Sequence, residues 1–489
     1  MGRLRDDFER AGYSTDQVLD AIGEHGQLGL TRNHTTAASR ALAGRDDPLA
    51  TLIRLFVLQQ EQPYEQVART LDVSSLAPLG ILARDGEGVR AKVDIRPYAD
   101  LTDATSGWVV SDHTASLDTR DGHVRPDHVL GISPASVSLS QITSRRAVDR
   151  ALDLGTGSGI QCLHLANHAA RVVATDLNPR ALTLATLTFA LNGIDVQTRL
   201  GSLYEPVADE VFDVITTNPP FVISPDTGAR LVYRETDLRS DDLMRAVVAG
   251  AGPRLAPGGS LHVVGNWAHT TGMPWQDRVA QWVPQGCDAF IVERETLDVY
   301  EYIEIWLADA GLNGAPDYTA RYDQWLRYFD DLGIEAVGMG WITMVNSGSS
   351  SSSVVGESWP YPVSQPVAED LMAHLRAGDV ESWTDARIEE CAWLLAPGTM
   401  QEATSVPGQA DPTHVVLRRT DGLMRAIEVD TALGGVLGAC DGELPVGRII
   451  AAVAALMDVD ESSLRDEMIP QIRKLIAQTW LTPAHETFQ

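Results

Sequence analysis

The sequence predicts an α/β fold, in which a mainly parallel sheet is covered by helices on both faces. Three observations predict it. Between residues 151 and 216, short apolar runs alternate with longer segments of helical periodicity, which is the pattern of βαβ units. A glycine-rich loop follows the first apolar run, and an Asn-Pro-Pro-Phe segment ends a later one. A chain of 489 residues also has room for further domains on either side of this core.

The elements of this core are predicted from their apolar spacing and from the turn residues between them. The predicted strands are residues 151–154, 171–175, 195–200, 211–216, 261–265, 289–293 and 334–345. The first two helices between them are predicted at residues 160–168 and 179–191.

A glycine-rich turn separates the first predicted strand from the first helix. Gly155, Gly157 and Gly159 alternate there with small polar residues. Glycine permits a tight turn and lets a ligand approach the backbone at a helix N-terminus. Asp176 ends the next strand, where an acid typically binds a pair of ribose hydroxyls. The spacing is not the Gly-x-Gly-x-x-Gly of dinucleotide-binding proteins, but the loop and the acid together predict a ligand site at this edge of the sheet.

The second half of this predicted site is the segment Asn218-Pro219-Pro220-Phe221, which ends the 211–216 strand. Two consecutive prolines cannot donate to a sheet ladder, so the strand stops there. A planar NH2 group fits the residues left at the strand end. The side chain of Asn218 and the carbonyl of Pro219 can accept its two N–H bonds, and Phe221 can cover its face.

With these motifs in this order, the chain resembles the class I S-adenosylmethionine-dependent methyltransferases. More narrowly, it resembles the HemK-like "methyltransferase small domain" group, which includes protein-glutamine N5-methyltransferases and base N-methyltransferases of rRNA and tRNA. The resemblance covers roughly residues 129–345. It implies a Rossmann-like seven-stranded methyltransferase sheet, whose last two strands form an antiparallel hairpin, and S-adenosyl-L-methionine as the cofactor.

The resemblance also assigns residues to the two halves of the site. The implied donor contacts are Asp153, Gly155, Thr156, Gly157, Gly159, Asp176, Leu177, Ser202, Leu203 and Asn218. The family often has an acidic residue at the position of Ser202. The implied catalytic set is Asn218, Pro219, Pro220 and Phe221. We also predict substrate contacts by Tyr233 and Arg234, which follow the motif on a segment that could form a lid.

The resemblance identifies the methyl donor and the type of methylated atom well, but it does not separate protein from RNA substrates. The chain has 67 acidic and 38 basic side chains, a net charge of −29, which disfavours phosphate-rich partners. We therefore expect a protein glutamine side chain as the methyl acceptor. The alternative is an exocyclic amine of adenine or guanine in rRNA or tRNA, and a second alternative is a non-catalytic donor-binding or assembly protein.

Winged-helix-like, mainly helical domains are predicted on both sides of the methyltransferase domain, which is placed at residues 99–346. Residues 1–98 have the order helix, helix, helix, hairpin, and residues 359–489 end in a hairpin followed by two helices. A serine-rich linker or loop is expected at 347–358. The candidate recognition helix, 73–82, carries no basic residue, so DNA binding is not expected.

The remaining features indicate a cytoplasmic protein without a metal site. Four scattered cysteines form no Cys-x-x-Cys pair, which suits a reducing compartment. The N-terminus lacks an apolar signal region, and no apolar run is long enough for a membrane span. His164 and His168 share a helix face without a third ligand between them, so no metal is predicted.

Overall fold

The computed structural model describes residues 1–114, 117–118, 125–226, 238–350, 352–377, 380, 382–408 and 412–484. Three regions follow one another along the chain. Each has its own buried apolar cluster, and the central region holds the large sheet.

The N-terminal region is mainly helical and ends in short antiparallel strands. Its helices are α1 (Gly2–Ala11), α2 (Thr15–Leu30), α3 (Thr36–Ala41), α4 (Pro48–Leu52), α5 (Tyr64–Ala68) and α6 (Val73–Leu76), with a π-helical turn at Ile53–Val57. The strands β1 (Gln62–Pro63), β2 (Leu82–Asp85) and β3 (Gly88–Ala91) form one sheet, and β4 (Asp94–Asp100) pairs with β5 (Thr105–Ser111). The predicted order of helices and hairpin is present, while the winged-helix assignment stays a prediction.

The predicted helix at 73–82 is wrong in its length, because α6 is a single turn and β2 begins at Leu82. Pro78 disfavours helical geometry at the residue before it. Gly80 has a φ of 70°, a left-handed conformation that stops a helix. The segment that would have been a recognition helix is therefore a short connection into a strand.

The central region is an eight-stranded sheet with helices on both faces. Its strands are β6 (Val148–Leu154), β7 (Ala169–Asp176), β8 (Val196–Leu200), β9 (Phe212–Thr217), β10 (Leu255–Thr270), β11 (Cys287–Asp298), β12 (Ile334–Asn346) and β13 (Val354–Ser358). Its helices are α7 (Pro134–Ile142), α8 (Ile160–Leu165), α9 (Pro179–Asn192), α10 (Asp242–Ala251), α11 (Trp275–Ala280), α12 (Val299–Asp309) and α13 (Tyr318–Leu332).

The order of the strands is β13-β11-β12-β10-β9-β6-β7-β8. β6 to β10 run parallel, and β12 pairs antiparallel with both β10 and β11. Alternate residues face opposite layers: Leu152 and Ile215 lie in one buried cluster, while Ala151 and Val214 lie in another. This is the predicted Rossmann-like α/β sheet with its antiparallel hairpin of β11 and β12.

The sheet has one strand more than the seven expected. β13 pairs parallel with β11 through Val354 to Ser358, inside the segment 347–358 that the serine content marked as a linker or loop. The β-branched Val354 and Val355 suit a strand. The hydrogen bonds that make this segment a strand come from β11, and no local sequence pattern predicts that pairing.

The C-terminal region follows, with helices α14 (Ala368–Ala377), α15 (Asp385–Glu390), α16 (Thr431–Gly438), α17 (Val446–Met457) and α18 (Glu461–Ala477). Its strands are β14 (Ala392–Leu395), β15 (Met400–Thr404), β16 (His414–Arg418), β17 (Ala426–Val429), β18 (Asp441–Pro445) and β19 (Leu481–Pro483). The predicted hairpin is formed by β16 and β17, and the two predicted final helices are α17 and α18.

The flanking regions pack directly on the central one. Ala181 and Leu184 of α9 belong to the same buried cluster as the N-terminal helices. In the C-terminal region, Arg425 forms an ion pair with Glu357 of β13. The His374 ring stacks on the Phe290 ring of β11, with the ring centroids 4.4 Å apart. In the described part of the chain, no helix combines the length and apolarity that a membrane crossing requires. The domain boundaries themselves stay predictions.

Candidate active site

The carboxyl ends of three neighbouring strands are tied together at one edge of the sheet. The Thr217 hydroxyl, at the end of β9, donates to the Leu154 carbonyl at the end of β6 over 2.7 Å. The N–H groups of Gly155 and Thr156 both donate to the Thr175 carbonyl of β7 at 2.9 Å. In an open α/β sheet this edge is where ligands bind, and both predicted motifs lie on it.

The glycine-rich loop needs its glycines for conformation and for close packing. Gly155, Gly157 and Gly159 have φ values of 75°, 56° and 84°, in the left-handed region that side chains disfavour. A Cβ atom at Gly155 or Gly157 would point into open space, whereas one at Gly159 would lie 2.5 Å from the Phe189 ring. Gly155 and Gly157 therefore leave the edge open, and Gly159 lets the loop pack on α9.

Asp176 is held beside this loop by backbone donors. Its carboxylate accepts the N–H of Gly157 at 2.9 Å and that of Asn178 at 2.8 Å. Asn178 caps α9 through the Arg180 N–H, so Asp176 is not needed as the helix cap. Burial raises the pKa of Asp176 above its ordinary range, although the two backbone donors lower it. The carboxylate is thus fixed at the strand end and aligned with the glycine loop.

Asp153 lies beneath the loop and is buried. It accepts the Thr156 hydroxyl at 2.6 Å and lies 3.4 Å from the Cys162 sulfur. Burial raises the pKa of Asp153 to about 6, against the lowering effect of the Thr156 hydrogen bond. Asp153 therefore shapes the loop from below through Thr156.

The raised pKa of Asp153 predicts a pH-dependent effect of Asp153→Asn on stability. The ordinary pKa of an aspartate is about 4, so between about pH 4 and pH 6 the folded state holds a proton that the unfolded chain releases. The stability of the wild type therefore falls as the pH rises through this window. At pH 4 we expect the variant and the wild type to have the same free energy of unfolding. Above pH 6 we expect the free energy of unfolding of the variant to be about 2 to 3 kcal/mol higher than that of the wild type.

Urea unfolding of both proteins at pH 4, 5, 6 and 7 measures this difference. A difference that stays constant across the four pH values would show that Asp153 is already ionised at pH 4. The matched control is Asp149→Asn, since Asp149 is exposed near the opposite end of the same strand.

The loop after β8 reaches the same edge. The Gly201 N–H donates to the Asp176 carbonyl at 3.1 Å, which brings Ser202 and Leu203 near the end of β7. Leu203 is partly buried and has a φ of 45°, while Leu177 is 61% exposed. An exposed apolar side chain next to Asp176 offers a surface for the flat part of a ligand. The ligand contacts of Leu177, Ser202 and Leu203 stay predictions.

The Asn-Pro-Pro-Phe motif is anchored from behind. Asn218 is half-buried, and its Oδ1 atom is buried without a hydrogen-bond partner in the described part of the chain. Just after the motif, the Ile223 N–H donates to the Tyr302 hydroxyl of α12 at 2.9 Å. The Phe221 ring meets the Trp306 ring edge-on, with centroids 6.3 Å apart. The motif therefore presents one unsatisfied acceptor at the strand end, next to a wall of aromatic rings.

Two residues that the sequence did not single out join this site. Tyr302 supports the turn after the motif, and Asn266, fully buried on β10, donates from Nδ2 to the Tyr302 hydroxyl at 2.8 Å. A lone asparagine inside the apolar strand segment 261–270 was the available signal. The two substrate contacts predicted from the sequence, Tyr233 and Arg234, lie outside the described residues.

A group of potential metal ligands lies elsewhere, at Asp100, Asp103 and His164, whose ligand atoms are within 4.8 Å of one another. Both ring nitrogens of His164 are engaged: Nδ1 with Asp103 at 2.7 Å and Nε2 with the Tyr98 hydroxyl at 2.9 Å. Arg145 lies 3.6 Å from Asp100 and 3.9 Å from Asp103. Because a protein cation and a histidine already satisfy these carboxylates, we interpret the group as an ion-pair network.

Known protein families match three stretches of the chain. Residues 132–274 match the family model of the methyltransferase small domain. This match includes the glycine loop, Asp176 and the Asn-Pro-Pro-Phe motif. Residues 10–92 and 371–483 match two domains of unknown function.

Individual relatives match over the same central region. The release factor glutamine methyltransferase of Deinococcus radiodurans is 40% identical over 122 residues, which are 23% of this chain and 44% of the relative. The ribosomal RNA small subunit methyltransferase C of Alcanivorax borkumensis is 32% identical over 117 residues, 24% of this chain and 32% of the relative. The chain thus spans less than half the length of these relatives.

Among solved structures, the 16S rRNA N2 G1207 methyltransferase of T. thermophilus, in complex with AdoMet and guanosine, is 20% identical. The match covers 45% of this chain and 58% of that chain, with a TM-score of 0.27.

Proposed function

We propose that this protein is an S-adenosylmethionine-dependent N-methyltransferase that acts on a planar amide or amino nitrogen. The observation that carries the proposal is the Oδ1 atom of Asn218 at the end of β9, which has no hydrogen-bond partner among the residues that the structure describes and lies on the same edge as the glycine loop and Asp176. A buried polar atom without a partner is destabilising, so its presence at a strand end favours a ligand N–H as its missing partner.

The residues of the edge fit the donor. The Asp176 carboxylate suits the ribose hydroxyl pair, and the open space above Gly155 and Gly157 admits the donor close to the backbone. Leu177 is exposed beside Asp176 and suits the adenine ring. When bound, S-adenosylmethionine supplies an electrophilic methyl group on its sulfonium sulfur.

The motif residues would orient the acceptor. The lone pair of an amide or aromatic amine is delocalised, so its nitrogen is a weak nucleophile. Asn218 Oδ1 and the Pro219 carbonyl would accept the two N–H bonds, which fixes the nitrogen at one angle and favours its pyramidal form. Phe221 covers the flat group and excludes water. Positioning and desolvation of this kind supply much of the rate acceleration, and the proton leaves the nitrogen after transfer.

We infer a protein glutamine side chain as the acceptor. The net charge of −29 repels phosphate backbones, and the relative from Deinococcus radiodurans is a release factor glutamine methyltransferase. The second candidate is an rRNA or tRNA base amine, which the ribosomal RNA methyltransferase relative favours.

A radiolabelled-donor assay separates these candidates. The purified protein is incubated with S-adenosylmethionine labelled in the methyl group and with a cell lysate, and then protein and RNA are recovered separately. We expect label in the protein fraction, removed by protease and retained after ribonuclease. Label in the RNA fraction would identify the base-methylating activity, and label in neither fraction would contradict methyl transfer.

The flanking regions are expected not to read duplex DNA. The candidate recognition segment has one helical turn, α6, without a basic residue, whereas a reading helix brings Arg, Lys, Asn or Gln to base edges. Fluorescence anisotropy with a random duplex library should show no selected sequence at physiological salt. A selected sequence whose binding survives at that salt concentration would overturn this prediction.

A further inference from the structure

Asn266 is a buried polar residue of the central sheet that lies close to the Asn-Pro-Pro-Phe motif. It lies in β10, is fully buried, and its Oδ1 atom has no hydrogen-bond partner within the described ranges. Its Nδ2 atom donates to the Tyr302 hydroxyl. An asparagine buried with one satisfied and one unsatisfied end is destabilising relative to an apolar side chain of the same size.

Register places Asn266 beside the motif. β10 runs parallel to β9 and pairs Val263 with Thr217, so Asn266 lies three residues beyond the last paired position, level with the Pro-Pro segment. Thr216 and His262 are paired across the two strands, and both contact the segment after α7. Asn266 shares their face by strand alternation, and Asn218 follows Thr216 by two residues.

The hydroxyl of Tyr302 connects Asn266 to the motif. It accepts one hydrogen bond from Asn266 and one from the Ile223 N–H. These bonds join β10, the turn after Asn218-Pro219-Pro220-Phe221 and α12. Asn266 is thereby tied to α12 through Nδ2, while its Oδ1 has no partner in the described part of the chain.

We propose that Asn266 is a further substrate-contact residue of the acceptor site, where its Oδ1 accepts an N–H of the bound substrate. This inference rests on the proposed function. Together with Asn218 Oδ1, it gives the site two side-chain amide oxygens on the same face of the sheet. The site therefore selects a substrate that presents N–H donors, and an ester or carboxylate of similar shape would leave both oxygens unpaired.

Two variants separate this role from a purely structural one. Asn266→Leu keeps the size of the side chain and removes both its polar ends, whereas Tyr302→Phe removes only the hydroxyl and leaves Asn266 Oδ1 in place. Each is compared with the wild type in three measurements: label transfer from S-adenosylmethionine to the lysate fraction, protein or RNA, that the wild type labels; donor affinity by calorimetry; and Tm.

We expect Asn266→Leu to lose label transfer by about tenfold or more, with donor affinity unchanged and a Tm equal to or above that of the wild type. Tyr302→Phe is expected to lose less transfer. Equal losses of transfer and of Tm in both variants would show that Asn266 acts only through Tyr302 and would overturn the proposal. So would an Asn266→Leu variant that transfers label like the wild type. A wild type that neither binds the donor nor transfers label would instead contradict the proposed function, and this inference with it.

Discussion

Replacing Asn218 by alanine is expected to lower methyl transfer by about 100-fold or more while leaving donor affinity almost unchanged. The side chain provides one of the two acceptors that would hold the substrate NH2 group. Its Oδ1 atom has no partner in the described part of the chain, so removing that oxygen breaks no hydrogen bond there. The expected loss therefore appears in turnover, and the Tm should stay close to that of the wild type.

Two measurements test this: label transfer to the lysate fraction that the wild type labels, and donor binding by calorimetry. Asn346→Ala is the matched control. Asn346 ends β12 near the start of β10, away from the carboxyl ends of the parallel strands, and its side chain donates to the Leu255 carbonyl. That variant should retain transfer even if it loses some stability. An Asn218→Ala protein that turns over like the wild type would show that Asn218 only ends the strand.

Replacing Asp176 by alanine is expected to weaken S-adenosylmethionine binding by about 100-fold or more, since hydrogen bonds to a charged group are the strong ones. The carboxylate is already aligned by the N–H groups of Gly157 and Asn178, so little of the binding free energy is lost in ordering it. The control is Asp149→Ala, an exposed carboxylate near the amino end of β6, which should bind the donor like the wild type.

The pH dependence of donor binding gives a second test of Asp176. Burial raises the pKa of this carboxyl, so protons compete with the ribose hydroxyls at a higher pH than for an ordinary aspartate. Affinity should be constant at neutral pH and fall as the pH decreases through the raised pKa. In Asp176→Asn, which does not titrate, this part of the pH dependence should disappear. Equal donor affinity in the wild type and Asp176→Ala would contradict the assignment of the donor site.

The sequence predicted the elements whose causes are local. Glycines at 155, 157 and 159 and the prolines at 219 and 220 mark turns by their own backbone limits, and the apolar runs before them mark strands. The two final helices, α17 and α18, were predicted for a similar reason, since the apolar spacing of each lies within one segment. Parallel strands then bring their carboxyl ends to one edge, so the two predicted motifs had to meet.

The sequence alone therefore determined that this chain has an α/β core with the glycine loop, Asp176 and Asn218 at one edge. Only the tertiary structure decided that β13 extends the sheet, since its hydrogen bonds come from β11, more than 60 residues earlier. It also decided that Asn266 and Tyr302, 36 residues apart, form a hydrogen bond next to the motif. Contacts of this kind depend on how elements far apart in the sequence pack together, so the local pattern of apolar and turn residues does not predict them.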